Sequence, residues 1–209
     1  RSVIGMPRIT SIVPASSETS AGNADAVFPT RPHGADIPVV VVVDSGIATT
    51  QGLGPWTVGR ISAVAAPYRN PGHGTAVASL IVAGDVLNPS LRDIDTSPCG
   101  VFDLEVIPND DPAHGAVESI DEQTFLQTLS DAVEQHGNEY KVWNLSIGTN
   151  EICDENDFSE FAFQLDNLQE QFKVSFVIAA GNYDTPPLLA FPRQAVSYTH
   201  LRAHETIAL

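Results

Sequence analysis

Apolar positions along this chain follow two periods, and together they predict an alternation of strands and helices. Phe158, Phe161, Leu165, Leu168 and Phe172 recur at spacings of 3, 4, 3 and 4. That pattern lines one face of a helix over Asp157–Phe172 and marks the face as core. Phe125, Leu129, Ala132, Val133 and His136 do the same for a helix over Glu122–His136, and place His136 half-buried on that face rather than at a ligand position. A third, buried helix is predicted over Gly72–Gly84, GHGTAVASLIVAG. Val77, Leu80 and Ile81 share its apolar face, and Ala76, Ala78, Ser79 and Ala83 are small enough for other backbone to approach closely. Short β-branched runs lie between the helices. Pro38–Val43, PVVVVV, reads as a central parallel strand covered on both faces. Arg60–Ala66, Leu104–Ile107, Lys141–Ile147 and Val174–Ala179 read as further strands. The alternation predicts an α/β fold in three layers, a mostly parallel sheet with helices on both faces.

Outside these elements the patterning fails in two places. Residues 1–36 are rich in Pro, Ser, Ala, Thr and Gly, and the run PASSETSAGNADA has no period. They read as a linker or the end of an upstream region, with Ile4, Ile9, Ile12 and Val13 as a possible short element of that region. Residues 37–194 carry the periodic pattern and form the expected domain. Ala195–Thr206, AVSYTHLRAHET, again has no hydrophobic period.

Composition narrows the function. A chain of 209 residues with 43 % hydrophobic content can bury a sizeable core in one domain. A net charge of −16 argues against nucleic-acid binding, which needs a basic footprint; it solvates the surface and mildly favours cationic substrates. No apolar run approaches the roughly 18 residues of a membrane span, so no membrane partner is expected. The first residue is Arg1 rather than Met, so the chain is read as an internal fragment. Cys99 and Cys153 are the only cysteines and leave the redox compartment open.

Candidate chemistry sits at the ends of the predicted elements. Asp44 closes the valine strand, where open α/β sheets place their working groups, although an aspartate before Ser45-Gly46 also suits a plain turn. His73 stands at the start of the small-residue helix, and alone a histidine beside glycine is more often structural than catalytic. The glycines at 52, 54 and 59 are followed by no Gly-Lys-Ser/Thr, and Val77 occupies the third small position that a dinucleotide fingerprint requires, so nucleotide binding is rejected.

Taken together, VVVVVDSGI (Val39–Ile47), GHGTAVASLI (Gly72–Ile81), NLSIG (Asn144–Gly148) and VIAAGN (Val177–Asn182) resemble the motifs of the subtilisin-like serine peptidases, the subtilase family, in the family's order. The resemblance covers about residues 37–192. It implies a subtilisin-like fold, here incomplete, and proteolysis of peptide or protein substrates. It implies that Asp44 orients the imidazole of His73, that His73 is the general base and acid, and that the Asn182 amide donates to the oxyanion. It implies that Ser146, Ile147 and Gly148 form a strand edge to which an extended substrate adds by backbone pairing; Ser146 is then a wall residue rather than the nucleophile.

Two departures qualify the resemblance. Ala76 stands where family members often have a second histidine. The family's nucleophile segment, Gly-Thr-Ser-x-Ala-x-Pro, does not occur in this sequence. The chain is therefore expected to be a serine endopeptidase fragment without its catalytic serine, and the alternative is a catalytically dead binding or regulatory module of the same fold. The stretch Ala195–Thr206 resembles a translated sequencing adaptor, so residues 195–209 are expected to be a non-native tail. This also disposes of the His200, His204 and Glu205 grouping as a metal site. A metal-dependent hydrolase built on Asp44 and His73 lacks a third ligand at a strand end. No cofactor is expected, and although calcium is frequent among secreted subtilases, no loop here offers a convincing carboxylate set. The acidic, low-cysteine composition and an upstream segment unlike an ordinary propeptide lean the compartment towards the cytoplasm without fixing it.

Overall fold

The computed structural model describes residues 11–14, 28–32, 36–87, 97–149 and 158–179. Its main sheet has five strands in the order β3-β4-β2-β6-β8, with β2 Val39–Asp44, β3 Thr57–Ser62, β4 Gly100–Glu105, β6 Val142–Leu145 and β8 Ser175–Ile178. Every strand pair in this sheet is parallel. β2 lies at the centre, with Asp44 opposite Glu105 of β4 and Val43 opposite Leu145 of β6.

The sheet has two apolar faces because β2 points alternate valines to opposite sides. Val41 and Val43 face a core built with Phe102, Leu104, Trp143, Leu145 and Phe176, covered by α2 (Glu122–His136) and α3 (Glu160–Phe172). Val42 and Val101 face a second cluster with Ile47, Leu53, Trp56, Ala78 and Val82, covered by α1 (Gly72–Leu87). This is the expected three-layer α/β arrangement.

The helices follow local chemistry. α2 has the expected bounds; the Asp121 carboxylate accepts from Thr124 N at 2.9 Å and satisfies an orphan amide of the first turn. Its apolar stripe is buried and His136 is half-buried, with its ring 4.9 Å from that of Phe102. α3 starts later than its periodicity predicts, because Ser159 caps it by accepting from Ala162 N at 3.1 Å. Phe158 is left outside the helix and is exposed. On α1 the predicted apolar face is only partly buried: Val77 and Ile81 pack against the second cluster. Gly74, Ala78 and Val82 are buried while Leu80 is exposed, since the small residues bring the helix axis close to β2. A break at Ala83 (φ −140°) ends the regular part of that helix.

Three strands also differ from expectation. β3 begins at Thr57 rather than Arg60 and ends at Ser62. β4 begins at Gly100 rather than Leu104 and buries all six of its residues, two of them acids. The predicted strand Lys141–Ile147 divides: β6 ends at Leu145, and Ile147–Thr149 form a separate strand, β7. β7 belongs to a small antiparallel sheet in the order β5-β1-β7, with β1 Ser11–Pro14 and β5 Ile120–Asp121. The short element expected around Ile12 and Val13 is thus β1, and it pairs with strands of the main domain. The tail 195–209 and Cys153 lie outside the described residues.

Candidate active site

Asp44 is the last residue of β2 and is fully buried, with its backbone carbonyl accepting from Val106 N at 2.9 Å and Ile107 N at 3.2 Å. The strand cannot continue past it, because the chain turns through Gly46 at φ +99°, a conformation that glycine adopts without a Cβ clash. That turn meets the first turn of α1. A Cβ on Gly74 would stand 2.3 Å from the carbonyl oxygen of Gly46 and 3.1 Å from the Asp44 Cβ, so α1 docks here only through a glycine.

Two side chains with no catalytic signature in the sequence tie the junction. The Ser45 hydroxyl accepts from Gly74 N at 3.2 Å. The Thr75 hydroxyl accepts from Ala48 N at 2.8 Å and donates to Pro71 O at 2.5 Å. Ser45 is buried, and its hydroxyl is used to satisfy one of the free amides at the helix start.

These contacts hold His73 over Asp44. Its Nδ1 lies 2.8 Å from Asp44 Oδ1 and 2.9 Å from Oδ2. A carboxylate with both oxygens within reach of Nδ1 favours the tautomer with the proton on Nδ1 and a lone pair on Nε2. The hydrogen bond to Asp44 is the main cause of a raised His73 pKa; burial opposes it and the Asp44 charge adds to it.

The sign of the resulting pH dependence is fixed by that direction. The folded state binds the proton more tightly than the unfolded chain, whose ordinary value is 6.5. This contribution to stability is complete below 6.5 and is lost as pH rises through the raised folded-state pKa. The urea midpoint of the wild type, relative to Asp44→Asn, is therefore expected to increase from about pH 9 to about pH 6. A difference that stays flat with pH would show that the pair carries no such linkage.

Ser146 and Ile147 lie where β6 gives way to β7, beside the end of β2 on the C-terminal edge of the sheet. The Ser146 hydroxyl accepts from Asn144 Nδ2 at 2.7 Å. The edge formed by Ile147, Gly148 and Thr149 is paired antiparallel with β1, in the register Ile147–Pro14, Gly148–Val13 and Thr149–Ile12. Asn182 lies outside the described residues, so its relation to His73 is not part of this geometry.

A second polar group occupies the same face of the sheet. Asp103 and Glu105 point from β4 towards α1 and are both buried. Arg60 lies opposite Asp103 and Ser62 opposite Glu105 in the β3–β4 register. Desolvation raises the Asp103 pKa, against the lowering effects of Ile47 N and Arg60. A strand beginning at Gly100 would have shown these acids on one face at a period of two; the apolar pattern starts the strand at Leu104 and so misses them. Among the described residues no cluster of three or more His, Cys, Asp or Glu is arranged to hold a metal ion, and no helix is long and apolar enough to cross a membrane.

A family model described as the subtilase family, Peptidase_S8, matches residues 37–208. The match extends beyond residue 192 and through 195–208, most of the stretch expected to be a non-native tail. No curated protein matches the chain.

Proposed function

The chain belongs to the subtilase family of serine peptidases, and from that premise we propose that Asp44 and His73 are the orienting carboxylate and the general base of a serine endopeptidase domain whose nucleophile lies outside these 209 residues. Membership makes the protein a hydrolase of peptide or protein substrates in general terms. The observation that carries the finer reading is the placement of both Asp44 oxygens within 2.9 Å of His73 Nδ1.

In this reading His73 Nε2 takes the proton of the attacking hydroxyl and returns it to the leaving amine. Asp44 keeps the ring in the productive tautomer and stabilises the imidazolium while the tetrahedral intermediate exists. Asn182 supplies a side-chain amide to the oxyanion. In subtilisin, a member of this family, losing such a donor costs about 10²–10³ in kcat, and a loss of that order is expected for Asn182→Ala in a form carrying the serine. The substrate adds as an extended strand along Ile147 and Gly148. Support for this comes from β1, because an extended segment of backbone already fits between β5 and β7, antiparallel to that edge. A substrate taking the same place forms its backbone hydrogen bonds in exchange for those of Ser11–Pro14.

Two measurements test the proposal. The 209-residue chain is expected to resist labelling by a serine-directed fluorophosphonate, since Ser45 is committed to Gly74 N and Ser146 to Asn144; labelling at any serine overturns the assignment of the nucleophile. The source DNA, re-read past the codon for Pro192 without adaptor read-through, is expected to continue into Gly-Thr-Ser-x-Ala-x-Pro. A frame that continues with another residue at that serine removes catalysis and leaves a binding module of the same fold.

A further inference from the structure

Asp103 is an expensive residue to keep. It is fully buried, its Oδ1 has no hydrogen-bond partner among the described residues, and its Oδ2 carries the whole of its pairing. A buried ion pair is often no more stable than apolar residues of the same volume, so stability alone gives no reason for an acid at this position.

What the acid holds is informative. Asp103 Oδ2 accepts from Ile47 N at 3.0 Å and from Arg60 Nε at 2.5 Å. Arg60 Nη2 donates to Ile47 O. The two charged groups therefore grip both backbone polar groups of one residue, Ile47, three positions after Asp44. The next acid on the same face of β4 meets the same turn, because Glu105 Oε1 would lie 2.7 Å from a Cβ on Gly46. Glu105 in turn accepts from Ser62 Oγ and pairs with Arg69 Nε at 3.3 Å.

We propose that Arg60 and Asp103 are positioning residues for the Asp44–His73 pair, acting as an ionic clip on Ile47 that fixes the turn on which Asp44 stands. The inference rests on the reading of Asp44 and His73 given above. The planar fork of Arg60 is what makes the clip possible, since it reaches a carboxylate and a carbonyl at once. Without it the turn from Asp44 to Ala48 keeps the Ser45 and Thr75 contacts and the bonds from Val106 N and Ile107 N to Asp44 O, but Ile47 O loses its tie to β3 and Asp103 loses the partner that holds it on Ile47 N.

The His73 titration midpoint reads this directly. It is followed in the full chain by proton NMR of the ring, with the signal assigned by its loss in His73→Ala. Asp44→Asn tests the underlying reading and is expected to lower the midpoint. Arg60→Met is expected to lower it by at least about half as much, because Asp44 no longer sits squarely on Nδ1. The sign is diagnostic. Removing a nearby positive charge without moving Asp44 raises a histidine pKa, so only loss of positioning lowers it. Arg60→Lys, which keeps the charge but lacks the fork, is expected to recover only part of the shift.

Should Arg60→Met fail to fold, Arg60→Gln, which removes the charge and the fork but leaves Asp103 a hydrogen-bonding neighbour, is expected to lower the midpoint likewise. A midpoint that is unchanged or raised in these variants, with Asp44→Asn lowered, overturns the clip while leaving the Asp44–His73 reading standing. A midpoint that Asp44→Asn does not lower overturns that reading itself.

Discussion

Asparagine in place of Asp44 is expected to lower kcat by about 10⁴-fold in an active form of this enzyme, one in which the domain is joined to a segment supplying the serine. That factor corresponds to about 5.5 kcal/mol of transition-state stabilisation. The cause is geometric before it is electrostatic. Asp44 presents two acceptors to His73 Nδ1, at 2.8 and 2.9 Å. An asparagine offers one acceptor and one donor, and the donor against Nδ1 selects the tautomer with the proton on Nε2. The nitrogen that should receive the hydroxyl proton is then already occupied. The imidazolium also loses its counter-charge in a site where Asp44 is fully buried. The measurement is kcat and KM for a short peptide substrate: the loss should fall on kcat with KM nearly unchanged, since Asp44 does not contact the substrate. A loss smaller than about tenfold would place the general base elsewhere.

Alanine or valine in place of Gly74 is expected to cost about 3 kcal/mol or more of folding stability and to separate the two elements that carry Asp44 and His73. A Cβ there meets backbone rather than a flexible side chain, at 2.3 Å from Gly46 O. Relief requires α1 to move away from the end of β2, and every such movement lengthens the His73–Asp44 contact. Gly84→Ala is the control, because a Cβ at that position meets nothing within 4 Å; it should be neutral or stabilising by about 0.4–1 kcal/mol. Urea melts of these variants and the wild type decide the matter. Equal midpoints for Gly74→Ala and the wild type would mean that α1 docks less tightly than this geometry requires.

Both predictions concern one junction, and it shows how far a sequence can be read. Asp44 and His73 were legible as candidates because each sits at the end of a strong local pattern, a run of valines and a small-residue helix, and their roles were legible only through the resemblance to the subtilases. The partners that hold them were not. Ser45 reads as a turn residue and Thr75 as part of a helix start. Arg60 reads as the first residue of a strand, Asp103 as a charge just before one and Glu105 as a charge inside it. Each takes its role from a neighbour distant in sequence: Asp103 lies 56 residues from Ile47 and 43 from Arg60.

The elements divide in the same way. The helix Glu122–His136 and the strand through the valine run were determined by the sequence, because a period of 3.6 or a continuous β-branched stretch is a property of neighbouring residues and survives in any context. So was the α/β class, which follows from their alternation. The tertiary structure alone decided that α1 turns Gly74, Ala78 and Val82 fully inward and leaves Leu80 exposed, since that depends on how closely the helix may approach Gly46 rather than on which side chains are most apolar. It alone decided that the strand ending at Leu145 gives way to a second one at Ile147, and that Ser11–Pro14, from a stretch without any period, pairs with it. Strand pairing is a contact between segments far apart in the chain. Its hydrogen bonds use backbone groups that every non-proline residue carries, and so it leaves little mark on the local sequence.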